Sequence, residues 1–135
     1  MLTEQDIAIG ALCAWRENRG GGAQGMQSVI NVLVNRAEQR GTSIYAEAVR
    51  RWQFSSMTAP GDPNLVLFPL ETDFEFETAL SLMEHLQKGL LPDITGGATS
   101  YYAESMKTPP AWAATMQRTC VIDGQIFFKT AGAAG

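Results

Sequence analysis

The sequence predicts a single, mainly helical α+β domain. Three observations carry that prediction. Apolar residues recur at helical spacing along the first two-thirds of the chain, glycine and proline clusters interrupt the pattern, and Asp123-Gly124 separates two β-prone arms near the C-terminus. With 135 residues the chain fits one domain, able to bury roughly two-thirds of the surface its unfolded form exposes. Residues 1–130 are read as that domain and 131–135 as a flexible tail of small residues.

Thr3 followed by Asp6 has the form of a capping box, and Ile7, Ala11, Ala14 and Trp15 then carry a first helix as far as Glu17. The turn Asn18-Arg19-Gly20-Gly21-Gly22 ends it. Met26, Val29, Ile30, Leu33 and Ala37 form the apolar stripe of a second helix, with Gln27, Asn31 and Gln39 off that face and Gly41 as the stop. Ser43 is placed to cap a third helix through Tyr45, Ala48, Val49 and Trp52. The stretch from Ser55 to Leu70 holds Pro60, Gly61, Pro63 and Pro69 and is expected to be largely irregular.

Asp73 introduces a fourth helix that buries Phe76, Leu80, Met83 and Leu86, ends at Lys88-Gly89, and sets Glu84 and Lys88 one turn apart as a pair. Beyond Pro92 the run Thr95-Gly96-Gly97-Ala98-Thr99-Ser100-Tyr101-Tyr102 reads as a tight turn feeding a strand or extended wall. Cys120 to Ile122 and Gln125 to Phe128 flank Asp123-Gly124 as a hairpin.

The net charge of -4 and a pI near 4.9 argue against capture of nucleic acid or of an anionic membrane, both of which need clustered Lys and Arg. The start Met1-Leu2-Thr3-Glu4 has neither the basic nor the apolar part of a secretory signal. The apolar run from Leu65 to Leu70 is too short to span a bilayer. Cys13 and Cys120 lie far apart, and free thiols are the expectation.

Gly20-Gly21-Gly22-Ala23-Gln24-Gly25 satisfies G-x-G-x-x-G, yet a helix precedes it where the dinucleotide fingerprint needs a strand. A loop that lets two helices pack closely is the better reading. His85 is the only histidine and the cysteines have no ligand spacing, which argues against zinc; a carboxylate-bound calcium near Asp62 or Asp93 is the open alternative, though neither belongs to a calcium-loop pattern, and the expectation is no metal and no cofactor. A Ser-His-Asp hydrolase is likewise unsupported, which leaves His85 as a surface residue of the fourth helix.

Glu17 is the residue with chemical promise. A helix C-terminus carries partial negative charge and aromatic neighbours exclude water, and both disfavour a carboxylate there. A neutral glutamic acid in a cleft is what glycosidic bond cleavage requires. The plain alternative is a solvated glutamate at a frayed helix end. Gln53-Phe54-Ser55, Thr99-Ser100-Tyr101-Tyr102 and Trp112 add the aromatic faces, amides and hydroxyls that bind sugars, although each aromatic taken singly is more often a core residue.

Four blocks extend this reading. They are Glu17 through Arg19-Gly20 and Gly25 to Val29, Val32 and Asn35-Arg36; Gln53-Phe54-Ser55 with Gly61-Asp62-Pro63-Asn64; Gly96-Gly97-Ala98-Thr99 with Tyr101-Tyr102; and Pro110, Trp112-Ala113 and Met116 leading to Gly124 and Phe127-Phe128. In order and spacing they resemble the catalytic domain of the spore cortex-lytic, cell-wall-hydrolase type. The resemblance implies a fold of the lysozyme and lytic transglycosylase type with a small β-hairpin element beside the cleft, peptidoglycan as substrate, and Glu17 as the acid. Where many such proteins have a second glutamate this chain has Gly21, and where they have a histidine it has Ser100. Lacking the binding repeats and export signal of the spore enzymes, it looks more like a phage or prophage endolysin, expected in the host cytoplasm until release to the wall, and a monomer.

Hydrolysing glycosidases normally use two carboxylates, and the blocks present only Glu17, with Asp62 and Glu104 as candidate partners. A lytic transglycosylase needs one. The expectation is therefore non-hydrolytic cleavage between N-acetylmuramic acid and N-acetylglucosamine giving a 1,6-anhydromuramoyl end, with Gln53, Ser55, Thr99, Tyr101 and Tyr102 as substrate contacts. A muramidase using water and a non-catalytic peptidoglycan-binding module are the rivals.

Overall fold

A computed structural model describes residues 1–50 and 53–131; Trp52, and the expected tail beyond Ala131, lie outside that range. Helix α1 (Glu4–Asn18) opens on the predicted capping box: Thr3 Oγ1 accepts from the Asp6 amide and Asp6 from the Thr3 amide, each at 3.0 Å. The second Asp6 oxygen accepts the Tyr45 amide at 2.9 Å and so ties α3 (Ile44–Ala48, capped by Ser43) to the start of α1.

A 3-10 turn, Arg19–Gly21, reverses the chain into α2 (Gly22–Arg40). The two helices pass closely at Gly25, where a Cβ would stand 2.7 Å from Asn18 Nδ2. Gly25 thus serves helix packing, as expected of this loop, and Gly22, with φ +66°, serves the turn itself. The stripe Met26, Val29, Ile30, Leu33 and Ala37 is buried, joined by Ala11, Ala14, Phe54, Ala79 and Met83 in the main core.

The other side of α2 departs from a solvated face. Gln27 and Asn31 both donate to the Pro92 carbonyl, at 2.9 and 3.2 Å, and Asn35 donates to the Ala98 carbonyl at 2.9 Å. These amides, one turn apart, strap segment 92–98 across the helix. They leave Val32 buried with Ala98, Ile122 and Phe127 in a second cluster.

Segment 55–70 contains two single turns, α4 (Ser55–Thr58) and a 3-10 turn at Pro63–Val66, and is otherwise irregular. Helix α5 (Phe74–Gln87) begins at the Asp73 cap; Ala79 and Met83 are fully buried, while Phe76, Leu80 and Leu86 are half-buried at its edge. The expected Glu84–Lys88 pair is not among the ion pairs of the described residues, which both belong to Glu47. Both side chains are exposed, where water competes for the charges and a one-turn pair gains little.

The strands β1 (Ser100–Ala103), β2 (Met116–Ile122) and β3 (Gln125–Thr130) form an antiparallel sheet in the order β1-β3-β2. Asp123 and Gly124 both have positive φ, +48° and +71°, which is the backbone of the two-residue hairpin the sequence predicts. Ile126, Phe127 and Phe128 are buried in succession because α2 covers one face of β3 and an aromatic cluster covers the other. Tyr101 pairs with Phe127 across β1 and β3, so the wall segment is anchored by the hairpin. Cys13 is buried, Cys120 half-buried, and both are free thiols. No helix among the described residues is long and apolar enough to cross a membrane.

Candidate active site

Glu17 lies in the last turn of α1 and is half-buried. Its Oε2 accepts a 2.6 Å hydrogen bond from Ser56 Oγ, and its Oε1 a 2.5 Å bond from the Tyr101 hydroxyl. One helix, one loop turn and one strand therefore converge on a single carboxyl group. A serine or tyrosine hydroxyl both donates and accepts, so the same partners serve the ionised and the protonated carboxyl.

The partners are themselves held. Ser56 is buried, and its carbonyl accepts from Arg16 Nη1 at 3.2 Å. Arg16 also donates through Nε to the Leu67 carbonyl at 3.1 Å and covers the Phe68 ring, which fastens the 56–68 loop to α1. Arg19 lies over Trp15, donates to the Trp15 carbonyl at 3.2 Å and reaches Asn64 Oδ1 at 3.0 Å. The helix end is thus faced by two arginines, a compensation of its partial negative charge that the argument from the helix end alone leaves out.

Tyr101 packs its ring on Phe127, with centroids 5.3 Å apart. Burial, and then the neighbouring Glu17 carboxyl, push its hydroxyl well above the usual phenol range, so it stays a proton-bearing donor. Burial likewise raises the Cys13 thiol, with Glu17 adding to the effect, and removes it as a nucleophile.

The predicted contacts divide. Tyr101 meets Glu17. Ser55 is exposed and donates to Asp62 Oδ2 at 2.8 Å; its neighbour Ser56 makes the contact with the acid. That hydrogen bond from Ser55, together with the Asn64 amide, lowers the Asp62 carboxyl below its usual range. Glu104 is exposed just past the end of β1. Tyr102 projects from the opposite face of β1 to Tyr101, stacked on Phe128 at 5.5 Å and edge-on to Trp112 at 5.9 Å. Gln53 and Thr99 line a polar hollow of about 400 Å³ together with Arg36 and Ser100. A larger hollow, about 580 Å³, is walled by Leu2, Val34, Ile44 and Leu86 together with Thr42 and Ser43, and none of Glu17, Ser56 and Tyr101 lines it.

Ser56 and Arg16, which hold the acid and its loop, and Arg36, which lines the polar hollow, are residues that sequence reasoning did not single out as contacts. Arg36 carried a legible signal, because it falls at helical spacing on the buried stripe beside Leu33 and Ala37, where an arginine needs a reason.

A family model described as Cell Wall Hydrolase matches residues 20–128, a span that begins just after Glu17. None of the curated proteins compared with the chain matches it. Among solved structures, the catalytic domain of the germination-specific lytic transglycosylase SleB from Bacillus anthracis superimposes with a TM-score of 0.72 at 23% identity, covering 95% of this chain and 97% of that one. The catalytic domain of the Bacillus cereus SleB protein gives a TM-score of 0.69 at 24% identity, covering 96% and 93%. The shared fold is the mainly helical domain with a small three-stranded sheet described above.

Proposed function

This chain belongs to the cell wall hydrolase family, whose work is the breaking of wall polymers, and we propose that it is a lytic transglycosylase acting on peptidoglycan glycan strands through Glu17. The observation that carries the reading is the clamp on Glu17: both carboxyl oxygens are held by hydroxyls at 2.5 and 2.6 Å, and neither hydroxyl is shared with a second carboxylate. The Bacillus anthracis neighbour, itself a lytic transglycosylase, supports the same reaction class.

In this mechanism the Glu17 carboxyl gives its proton to the oxygen bridging N-acetylmuramic acid and N-acetylglucosamine as the C1–O bond breaks. The N-acetylglucosamine side leaves as an alcohol. The oxocarbenium-like C1 is then attacked by the C6 hydroxyl of the same muramoyl residue, whose proton passes to the Glu17 carboxylate. Acid and base are one group, so the enzyme ends as it began and the product carries a 1,6-anhydro ring. Ser56 and Tyr101 keep the carboxyl aimed through both steps by exchanging donor and acceptor roles.

A hydrolytic muramidase on the same bond is the second reading, favoured by Asp62, an ionised carboxylate held by Ser55 in the turn next to Ser56. Mass spectrometry of muropeptides released from purified sacculi separates the two. Anhydro ends, absent with Glu17→Gln, support transglycosylation; reducing ends replace it with hydrolysis. Tight sacculus binding without soluble fragments would make the protein a binding module instead.

A further inference from the structure

The chemistry assigned to Glu17 leaves one charged group unused. Arg36 on α2 is only 7% exposed. Its Nε donates to the Thr99 carbonyl at 2.5 Å, its guanidinium lies 4.9 Å from the centre of the Phe54 ring, and its Nη1 is buried without a hydrogen-bond partner among the described residues. Among the described residues no carboxylate stands within ion-pair distance of it. Glu47, the nearby candidate, is occupied by Arg40 and Arg50. Burial disfavours its charge, yet a guanidinium does not give up its proton, so the fold carries a buried cation with N–H capacity to spare.

Arg36 is a wall of the 400 Å³ hollow, and Gln39, Arg40, Gln53, Thr99 and Ser100 line it with amides, hydroxyls and a second guanidinium. No acidic residue among those described lines it. The two segments that form it also hold the acid: residue 53 precedes Ser56 by one turn, and Thr99 and Ser100 run directly into Tyr101. The hollow and the acid are thus built on continuous stretches of chain.

We propose that this hollow is a carboxylate-binding subsite, in which Arg36, assisted by Arg40 and the surrounding amides and hydroxyls, receives a carboxylate of the lactyl-peptide arm of muramic acid while Glu17 acts on the adjoining glycosidic bond. The identity of the arm rests on the peptidoglycan reading. The need for an anion rests on the unpaired guanidinium alone, since arginine matches a carboxylate with paired, charge-assisted hydrogen bonds.

Soluble glycan strands in three forms test it: with intact peptide stems, with every carboxylate converted to a primary amide, and stripped by an amidase so that the lactyl carboxylate alone remains. The protein is expected to lose about ten- to a hundredfold in kcat/KM on the amidated strands. Stripped strands cleaved as well as intact ones assign the lactyl carboxylate, and stripped strands as poor as amidated ones assign a stem carboxylate. Arg36→Gln should cleave intact strands no better than amidated ones. Because Arg36 is buried, Thr130→Glu provides a second variant: Thr130 is an exposed lining residue, and a carboxylate there should repel the anion without touching the core. Equal cleavage of intact and amidated strands by the unmodified protein overturns the subsite and leaves the glycosidase reading standing. Titration calorimetry with a muramoyl dipeptide and its amide makes the converse visible: selective binding of the acid form with no cleavage of any strand keeps the subsite and removes the enzyme, and equal or absent binding of both forms removes the subsite.

Discussion

The Tyr101 hydroxyl donates a 2.5 Å hydrogen bond to Glu17 Oε1 across 84 residues of sequence. It makes a strand residue part of the acid's apparatus. Tyr101→Phe keeps the ring packed on Phe127 and deletes only that donor, so its thermal midpoint should move little while kcat on sacculi falls about ten- to a hundredfold. Ser56→Ala should act in the same direction from the other oxygen. A Tyr101→Phe protein with full lytic rate would remove the hydroxyl from the mechanism.

Asp93 sets the response to acid. Burial alone would raise its carboxyl, but donors from Thr95 (side chain and amide), Asn35 and the Gly97 amide outweigh this and hold it below the usual value. A carboxyl depressed in the folded state contributes stability above its unfolded value, about 3.9, and that contribution is lost as pH falls through the folded value. Asp6 is lowered in the same sense by its cap and the Tyr45 amide, against the raising effect of burial. Urea midpoints should therefore be flat from neutral pH to about 5 and drop below about 4. Asp93→Asn should cost about 1 kcal/mol at neutral pH, a modest figure because the residue is only partly buried and solvent screens its charge, and should shallow the acid limb. An unchanged acid limb in that variant would assign the loss elsewhere.

The space beside Gly21 is taken by other side chains. A Cβ on Gly21 would overlap the Asp123 carboxylate and stand 2.8 Å from Asn18 Oδ1. Gly21→Ala should destabilise the fold by about 1–3 kcal/mol. Asp123→Gly, which suits the positive φ at that position, should recover about 1 kcal/mol of it in the double variant. Chemical denaturation of the four proteins measures the coupling, and simple additivity would mean that the hairpin turn and the glycine loop do not press on each other.

Local spacing made much of this legible. The cap at Thr3, the stripe from Met26 to Ala37, the Asp73 start and the Asp123-Gly124 turn are each decided by neighbours within a few residues, where helix and hairpin geometry follow directly from residue type. Glu17 could be singled out for the same reason, since it closes a helix beside a glycine turn. Ser56 could not be told from Ser55, because which of two adjacent hydroxyls faces α1 depends on how α4 is rotated by Arg16 reaching its carbonyl. Nor could the amides of Gln27, Asn31 and Asn35 be recognised as a strap, since the Pro92–Ala98 segment they hold lies some sixty residues further along.

The sequence by itself determined the elements, their order, and a glutamate at the end of the first helix, because those follow from short-range sterics and periodicity. Tertiary structure decided that the glutamate is gripped by Ser56 and Tyr101, that Tyr102 turns to the other side of β1, and that Arg36 is buried beside a polar hollow with no carboxylate partner among the described residues. Those outcomes depend on contacts between segments distant in sequence, and only the packed core fixes which side chains face one another.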